Sequence, residues 1–172
     1  MLKLFGAACI LFAATMLGFY QAGLLARRPR QIRQLILALK RLESEIGYGF
    51  KPLPDALDTI AKPLAKPLAA IIGQAASRMR EPTGRSAEES WRESIAEGWG
   101  HTAMKAAERD VLQQLGSTLG ITDRDDQLQH LRMAVGHLQA EEDAAREEQK
   151  RYETMWKSLG VLAGALVVIL MY

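Results

Sequence analysis

Charge is distributed very unevenly along this chain of 172 residues, and that distribution constrains the fold more than any other feature. Residues 4–25 and residues 159–172 carry no charged side chain, so almost all charge lies between two apolar ends. A helix rising ~1.5 Å per residue crosses the roughly 30 Å hydrocarbon core of a bilayer in about 20 residues. We therefore predict a transmembrane helix over residues 1–25, a soluble helical domain over residues 26–157 and a C-terminal transmembrane segment over residues 158–172.

Each apolar end leaves a choice open. Lys3 and the polar Gln21-Ala22-Gly23 stretch also fit a cleaved signal peptide, whereas the length of the run and the second apolar end favour a retained anchor. The C-terminal run is short for a full span. Met155 and Trp156 lengthen it, and Lys157 can extend its ammonium group to the lipid headgroups.

The flanks and the small residues of these segments predict their orientation and packing. Basic residues flank both segments on the same side: Arg27, Arg28, Arg30, Arg33, Lys40 and Arg41 after the first, and Lys150, Arg151 and Lys157 before the second. Because basic flanks stay cytoplasmic, we expect the helical domain in the cytosol and both termini outside. Small residues spaced by four let helix backbones pack closely in lipid. They are Ala14, Gly18 and Ala22 in the first segment and Gly160 and Gly164 in the second.

The middle of the chain has the apolar periodicity of helices. From Pro29 to Gly47, apolar residues recur at spacings of three and four, which predicts one amphipathic helix. Similar patterns predict a short helix from Pro52, a third from Leu68, a fourth from Ser86, a fifth over 102–119 and a sixth from 123 onward. Because no segment alternates with a period of two, we predict an all-α chain, roughly a six-helix bundle between the two transmembrane segments.

Three local patterns add detail. Ser86 followed by Glu89 is the sequence of a capping box. In the fifth helix the spacing directs Val111, Leu112 and Leu115 inward, and Gly116 and Gly120 loosen its end. In the sixth, capped by Thr122 or Asp123, the stripe is apolar as far as Leu138 and polar or small over 142–149. We interpret its first part as core and its second part as a stalk or a partner surface.

Residues suited to chemistry are few. The chain has no phosphate-binding glycine loop and no nucleophile elbow, and its single cysteine, Cys9, lies in the first apolar segment. Stacking aromatics for nucleic acid are missing beside the arginines, so membrane-surface contact is the preferred use of that cluster. We predict no enzyme activity, cofactor, metal site or nucleic acid partner. The alternative is a membrane sensor of a metal or ligand that uses His130 and His137, whose separation of ~10 Å along a helix is too long for one ion to bridge directly.

Four segments of the chain resemble a known family. They are Pro29-Arg30-Gln31-Ile32-Arg33, Leu42-Glu43-x-Glu45-Ile46-x-Tyr48-Gly49, Leu119-Gly120-x-x-Asp123-Arg124 and Lys157-Ser158-Leu159-Gly160. Together with the chain length and the two apolar ends, they resemble stage III sporulation protein AB over essentially the whole chain.

The resemblance implies a location and partners. It implies a protein of the mother-cell membrane of an endospore-forming bacterium, contributing to the channel between mother cell and forespore. Its soluble region is similar to the helical domain of the platform proteins of type II secretion and type IV pili, which couple a cytosolic ATPase to a membrane assembly. By that analogy we expect stage III sporulation protein AA, an ATPase, and other channel subunits as partners. Because the chain has one helical domain instead of a duplicated one, an oligomeric or reduced platform is implied.

We also predict a docking surface from the charged residues. It combines Arg30, Arg33 and Arg41 with the Asp123–Arg124 turn and with an acidic stretch that includes Glu141, Glu142 and Glu148. Asp123 and Arg124 have a structural interpretation as well, in which they form a helix cap with the arginine holding the Gly116–Gly120 turn.

Overall fold

The computed structural model describes residues 26–48, 51–82, 84–120 and 123–171, and within these residues the chain is all-helical, without strands. Six α-helices and one 3₁₀ helix follow each other: α1 (Arg27–Tyr48), α2 (Leu53–Ala61), α3 (Leu68–Arg80), α4 (Ala87–Gly98), the 3₁₀ helix (Trp99–His101), α5 (Ala106–Gly116) and α6 (Arg124–Met171). The predicted all-α class and the number of helices in the domain are confirmed for the described part of the chain.

The chain divides into two compact units, one of residues Arg28–Asp143 and one of Met1–Arg27 with Ala144–Tyr172. In the second unit, the end of α6 exposes apolar side chains, and Met155, Leu159, Leu162 and Leu166 share one helix face because they are spaced by four, three and four. Among the described residues, no helix combines the length and the apolar character needed to cross a membrane. The segment predicted at residues 1–25 lies outside the described residues, and a membrane role for 158–172 stays a prediction.

Helix α1 supplies one side of the core of the Arg28–Asp143 unit. Its predicted apolar stripe is buried from Ile32 to Leu42, whereas Ile46 at its end is only half-buried. Helix α6 runs antiparallel to it. Arg28 of α1 pairs with Glu141 of α6 at 3.0 Å near one end, and Glu43 pairs with Arg132 at 2.6 Å further along. The part of α6 predicted as core is buried, through Leu131, Ala134, Val135 and Leu138.

Helices α4 and α5 meet at a buried tryptophan. Trp91 of α4 donates its indole N–H to the carbonyl of Leu112 over 2.7 Å, which satisfies its one polar atom inside the core. Gly116, in the last turn of α5, lies directly against that indole, and a Cβ at this position would overlap Trp91. The prediction that Gly116 loosens the helix end is therefore incomplete, because its missing side chain is what allows α5 to approach Trp91.

Helices α2, α3 and α4 pack in sequence order and are joined at the surface by two arginines. Arg80 of α3 contacts Asp55 at 2.8 Å and Asp58 at 2.6 Å in α2. Arg78, also in α3, donates to both carboxylate oxygens of Glu97 in α4 at 2.7 Å. These hydrogen bonds from Arg78 stabilise the ionised carboxylate and hold the pKa of Glu97 below its ordinary value.

The starts of α4 and α5 illustrate one confirmed prediction and one corrected prediction. At α4, Ser86 Oγ accepts from Glu89 N and Ser86 N donates to Glu89 Oε2, each at 3.1 Å, so the predicted capping box is present. Helix α5 begins at Ala106, four residues later than predicted. Thr102 closes the 3₁₀ helix by donating to the carbonyl of Trp99, and Ala103 N donates to the side chain of Gln31.

The end of α5 also differs from the prediction. The helix stops at Gly116, and residues 117–120 form a turn that finishes at Gly120. Gly120 has a φ of +83°, a backbone conformation that residues with a side chain rarely adopt. Of the three residues expected to point inward from α5, Leu112 and Leu115 are buried, whereas Val111 is only half-buried.

Candidate interaction surface

The solvent side of α1 carries a continuous basic surface. From Arg30 onward, its exposed residues follow the helical spacing of three and four that places them on one face: Arg30, Arg33, Leu37, Lys40, Arg41, Ser44 and Tyr48. We call the part formed by Arg30, Arg33, Leu37, Lys40 and Arg41 the basic face of α1. Leu37 lies at its centre with 60% of its surface exposed. The structure thus brings three predicted docking residues, Arg30, Arg33 and Arg41, onto one surface.

The cations of the basic face are unpaired within the described part of the chain. None of Arg30, Arg33, Lys40 and Arg41 has an ion-pair or side-chain hydrogen-bond partner there. The acidic residues of α1 that follow them are already paired. Glu43 binds Arg132 at 2.6 Å, and Glu45 binds Lys51 at 2.8 Å. The basic face therefore has four positive charges with no neutralising group of its own.

Arg28 behaves differently from its basic neighbours, because it points into the fold. Its Nε donates to Glu108 Oε1 at 2.8 Å, and its Nη2 donates to Glu141 Oε2 at 3.0 Å. The other oxygen of Glu108 accepts from the backbone N–H of Lys105 at 2.8 Å, at the start of α5. The Glu108 side chain is fully buried and Arg28 is only 11% exposed. This ion-pair cluster, Arg28–Glu108–Glu141, joins α1, α5 and α6.

The sequence carries a signal for this cluster in the spacing of its charged residues. Glu108 stands four residues before Leu112 and seven before Leu115, which is the buried face of α5. Arg28 stands four residues before Ile32 and seven before Leu35, on the buried face of α1. A charged residue in register with an apolar stripe is expected to find an opposite charge inside the fold. The spacing would therefore have separated Arg28 from the exposed arginines.

Each of the predicted acidic residues Glu141, Glu142 and Glu148 already takes part in an interaction. Glu141 holds Arg28, and its side chain is 33% exposed, so it stabilises the Arg28–Asp143 unit in addition to any docking role. Glu142 in the same unit and Glu148 in the other unit are both half-buried, and both take part in interactions with other groups. Their assignment to a docking surface stays a prediction.

Asp123 and Arg124 lie at the opposite end of the unit from Glu141. Both are exposed at the start of α6, and the 17 residues from Arg124 to Glu141 correspond to roughly 26 Å of helix. The turn and Glu141 therefore lie at different ends of this stretch of α6, and their assignment to one docking surface stays a prediction.

An open pocket of about 310 Å³ is located beside this turn. Arg124 and Gly120 line it together with Ile46, Lys51, Leu53 and Gln127. The pocket brings together two of the segments on which the family resemblance rests, because Ile46 belongs to the 42–49 segment, and Gly120 and Arg124 belong to the 119–124 segment.

The remaining candidate residues are located as follows. His130 is half-buried and His137 is exposed on α6, and among the described residues no group of three or more His, Cys, Asp or Glu side chains is arranged to hold a metal ion. Gly160 and Gly164 lie within α6. Cys9, Ala14, Gly18 and Ala22 are outside the described residues.

Comparisons with known proteins agree with one another. The sequence model of the family described as stage III sporulation protein AB matches residues 3–172. The chain is 44% identical over 171 residues to stage III sporulation protein AB of Bacillus subtilis (strain 168), and the match covers 99% of each chain. A solved structure of stage III sporulation protein AB (SpoIIIAB) is similar with a TM-score of 0.68 at 41% identity, covering 73% of this chain and 98% of that chain.

Proposed function

The chain belongs to the stage III sporulation protein AB family, and from this membership we propose that it is a membrane scaffold of the mother cell–forespore channel. In this role its helical domain docks a cytosolic ATPase, stage III sporulation protein AA, to the membrane complex. The family name places the chain among sporulation proteins. The scaffold role and the ATPase partner follow from the similarity to secretion and pilus platform proteins described above.

The unpaired basic face of α1 is the observation that carries this proposal. Several other arginines of the Arg28–Asp143 unit are used within the fold, since Arg28, Arg78, Arg80 and Arg132 all bind carboxylates. Arg30, Arg33 and Arg41 have no such partner among the described residues. A folded domain that leaves a row of cations unneutralised around an exposed leucine is suited to binding an oppositely charged partner.

Two features support a membrane location. The uncharged runs at residues 4–25 and 159–172 favour membrane segments. The apolar side chains exposed at the end of α6, among them Met155, Leu159 and Leu162, would be covered by lipid in such a protein. We propose the mother-cell membrane as the location, with the helical domain in the cytosol and both termini outside.

Cysteine accessibility in intact sporulating cells tests the proposal. Cys9 is changed to Ser, and single cysteines are introduced at Ala96 and Ala140, which are exposed alanines on α4 and α6. Ser86 is unsuitable, because its hydroxyl caps α4. We expect both cysteines to resist an impermeant thiol reagent until the membrane is opened. Labelling in intact cells would place the domain on the other side of the membrane and overturn docking to a cytosolic ATPase.

A cysteine at Ala76 is the matched control for this experiment. Ala76 is fully buried, so its cysteine should remain unlabelled before and after the membrane is opened. The sensor alternative is tested separately by changing His130 and His137 to alanine. A scaffold would still support spore formation with both histidines removed, whereas a sensor would lose its response.

A further inference from the structure

We propose that the basic face of α1 is the docking surface itself, and that its occupant is an acidic protein surface with an apolar recess for Leu37. This inference deepens the proposed function and rests on it, since it assigns the docking step to five residues of one helix. It also separates these residues from the Asp123–Arg124 turn and from the acidic stretch of α6.

The helical spacing of α1 directs the basic face to solvent and the opposite side of the helix to the core. Its opposite side is buried through Ile32, Leu35 and Leu39. Leu37, in contrast, is turned to solvent by its position in the same helix. From Arg30 to Arg41 the face extends roughly 17 Å along the helix axis, and the described chain places no ion-pair partner on its cations.

The charge of the face specifies the chemistry of its occupant. Four cations without an ion-pair partner among the described residues repel basic and attract acidic surfaces, and the attraction increases the association rate at low salt. The acids that could have neutralised them inside the fold, Glu43 and Glu45, are held by Arg132 and Lys51. An acidic partner surface would supply the ion pairs that the described part of the fold does not.

Leu37 favours a protein over a lipid surface as that molecule. A partner protein with a small apolar recess can cover Leu37 while its acidic groups meet the surrounding cations, which then form the polar rim of the contact. A helix that lies on a bilayer instead needs a wide apolar face to insert below the headgroups. The basic face of α1 offers one apolar residue among four cations, which is too little for insertion.

The test measures binding of the full chain in phosphatidylcholine nanodiscs to purified stage III sporulation protein AA. Two variants alter the face without touching the core: Leu37→Gln, and the double charge reversal Arg33→Glu with Arg41→Glu. We expect each to raise the Kd by about tenfold or more, and we expect the wild-type Kd to rise with added salt. An unchanged Kd in both variants would remove the face from the interface.

Matched controls lie on other surfaces of the same unit. Met133→Gln replaces an exposed apolar side chain on α6, and Arg92→Glu reverses an exposed arginine on α4. Both controls should leave the Kd within about twofold of wild type, because surface substitutions away from an interface have small effects. Circular dichroism of every variant should match wild type, since none of the altered side chains is buried.

The outcomes separate this inference from the proposed function. Wild-type binding that survives both basic-face variants keeps the scaffold proposal and overturns the assignment to α1. No wild-type binding overturns the proposed docking function and, with it, the inference. The same variants are also measured in nanodiscs containing phosphatidylglycerol, and a loss of binding seen only there would assign the face to anionic lipid and overturn the protein partner.

Discussion

Arg28 Nη2 and Glu108 Oε1 lie 2.7 Å apart, and they join residues that are 80 positions apart in the chain. Glu108 has no exposed surface, and its second oxygen accepts from the N–H of Lys105 at the start of α5. Glu108 therefore caps the start of α5 and joins it to α1. Buried ion pairs of this kind tolerate replacement of both partners better than removal of one.

Changing Glu108 to Gln should destabilise the unit by roughly 3 kcal/mol, because the buried Arg28 guanidinium loses its main counter-charge. Chemical denaturation of the purified chain, followed by tryptophan fluorescence, measures this loss. Glu147→Gln is the matched control, since Glu147 is exposed on α6 and should change the free energy of unfolding by less than about 0.5 kcal/mol. Equal stability of the two variants would contradict the structural role of the cluster.

Gly116→Ala should also destabilise the protein, although alanine is the better helix former. The added methyl group would overlap the indole of Trp91, and relieving such overpacking typically costs about 1–3 kcal/mol. Gly136→Ala is the control, since nothing lies within 4 Å of a Cβ added there on α6. The control should gain about 0.5–1 kcal/mol from helix propensity alone. Two thermal unfolding curves shifted in opposite directions would show the effect, and a shift in the same direction would refute it.

Glu141→Lys should lower stability by about 1 kcal/mol, because the new ammonium faces Arg28 across a partly exposed contact. Asp143→Lys, two residues along the same helix at an exposed position, should leave the free energy of unfolding nearly unchanged. The comparison matters for docking experiments. A loss of partner binding in a Glu141 variant can be assigned to the interface only if its denaturation midpoint equals that of wild type.

Glu97 should contribute a pH-dependent part of the stability. Arg78 lowers the pKa of Glu97 in the folded state below the value of 4.5 that serves for the unfolded chain. A depressed carboxyl pKa stabilises the fold above the unfolded pKa, and that contribution disappears as the pH falls through the folded pKa. Glu97→Gln should therefore be less stable than wild type at neutral pH, and the difference should shrink below pH 4.5.

Carboxyl titration by NMR checks the same point directly. The midpoint of Glu97 should lie below 4.5 in wild type and rise in Arg78→Gln, because the first cause of the shift is the hydrogen bond from Arg78. A midpoint that stays constant in the variant would show that the arginine does not set it.

The sequence by itself determined the features that depend on near neighbours in the chain. Apolar residues at spacings of three and four predict a helix and its buried side, because one turn of backbone places them on one face. Four features depend on near neighbours in this way: the all-α class, the inward stripe of α1, the apolar half of α6 and the Ser86–Glu89 capping box. The family resemblance, carried by four short segments, was equally readable from the sequence.

Only the tertiary structure decided which of these helices meet and what their charges do. The spacing of Arg28 directs it inward, but only the fold shows that Glu108 and Glu141 hold it, whereas Arg30 faces solvent. Gly116 resembles an ordinary helix end until Trp91 of another helix is placed against it. The physical reason is that such pairings depend on contacts between residues distant in the chain. The local spacing of residues carries no information about the energies of those contacts. Whether a charge stabilises the fold or remains available to a partner is settled by those contacts.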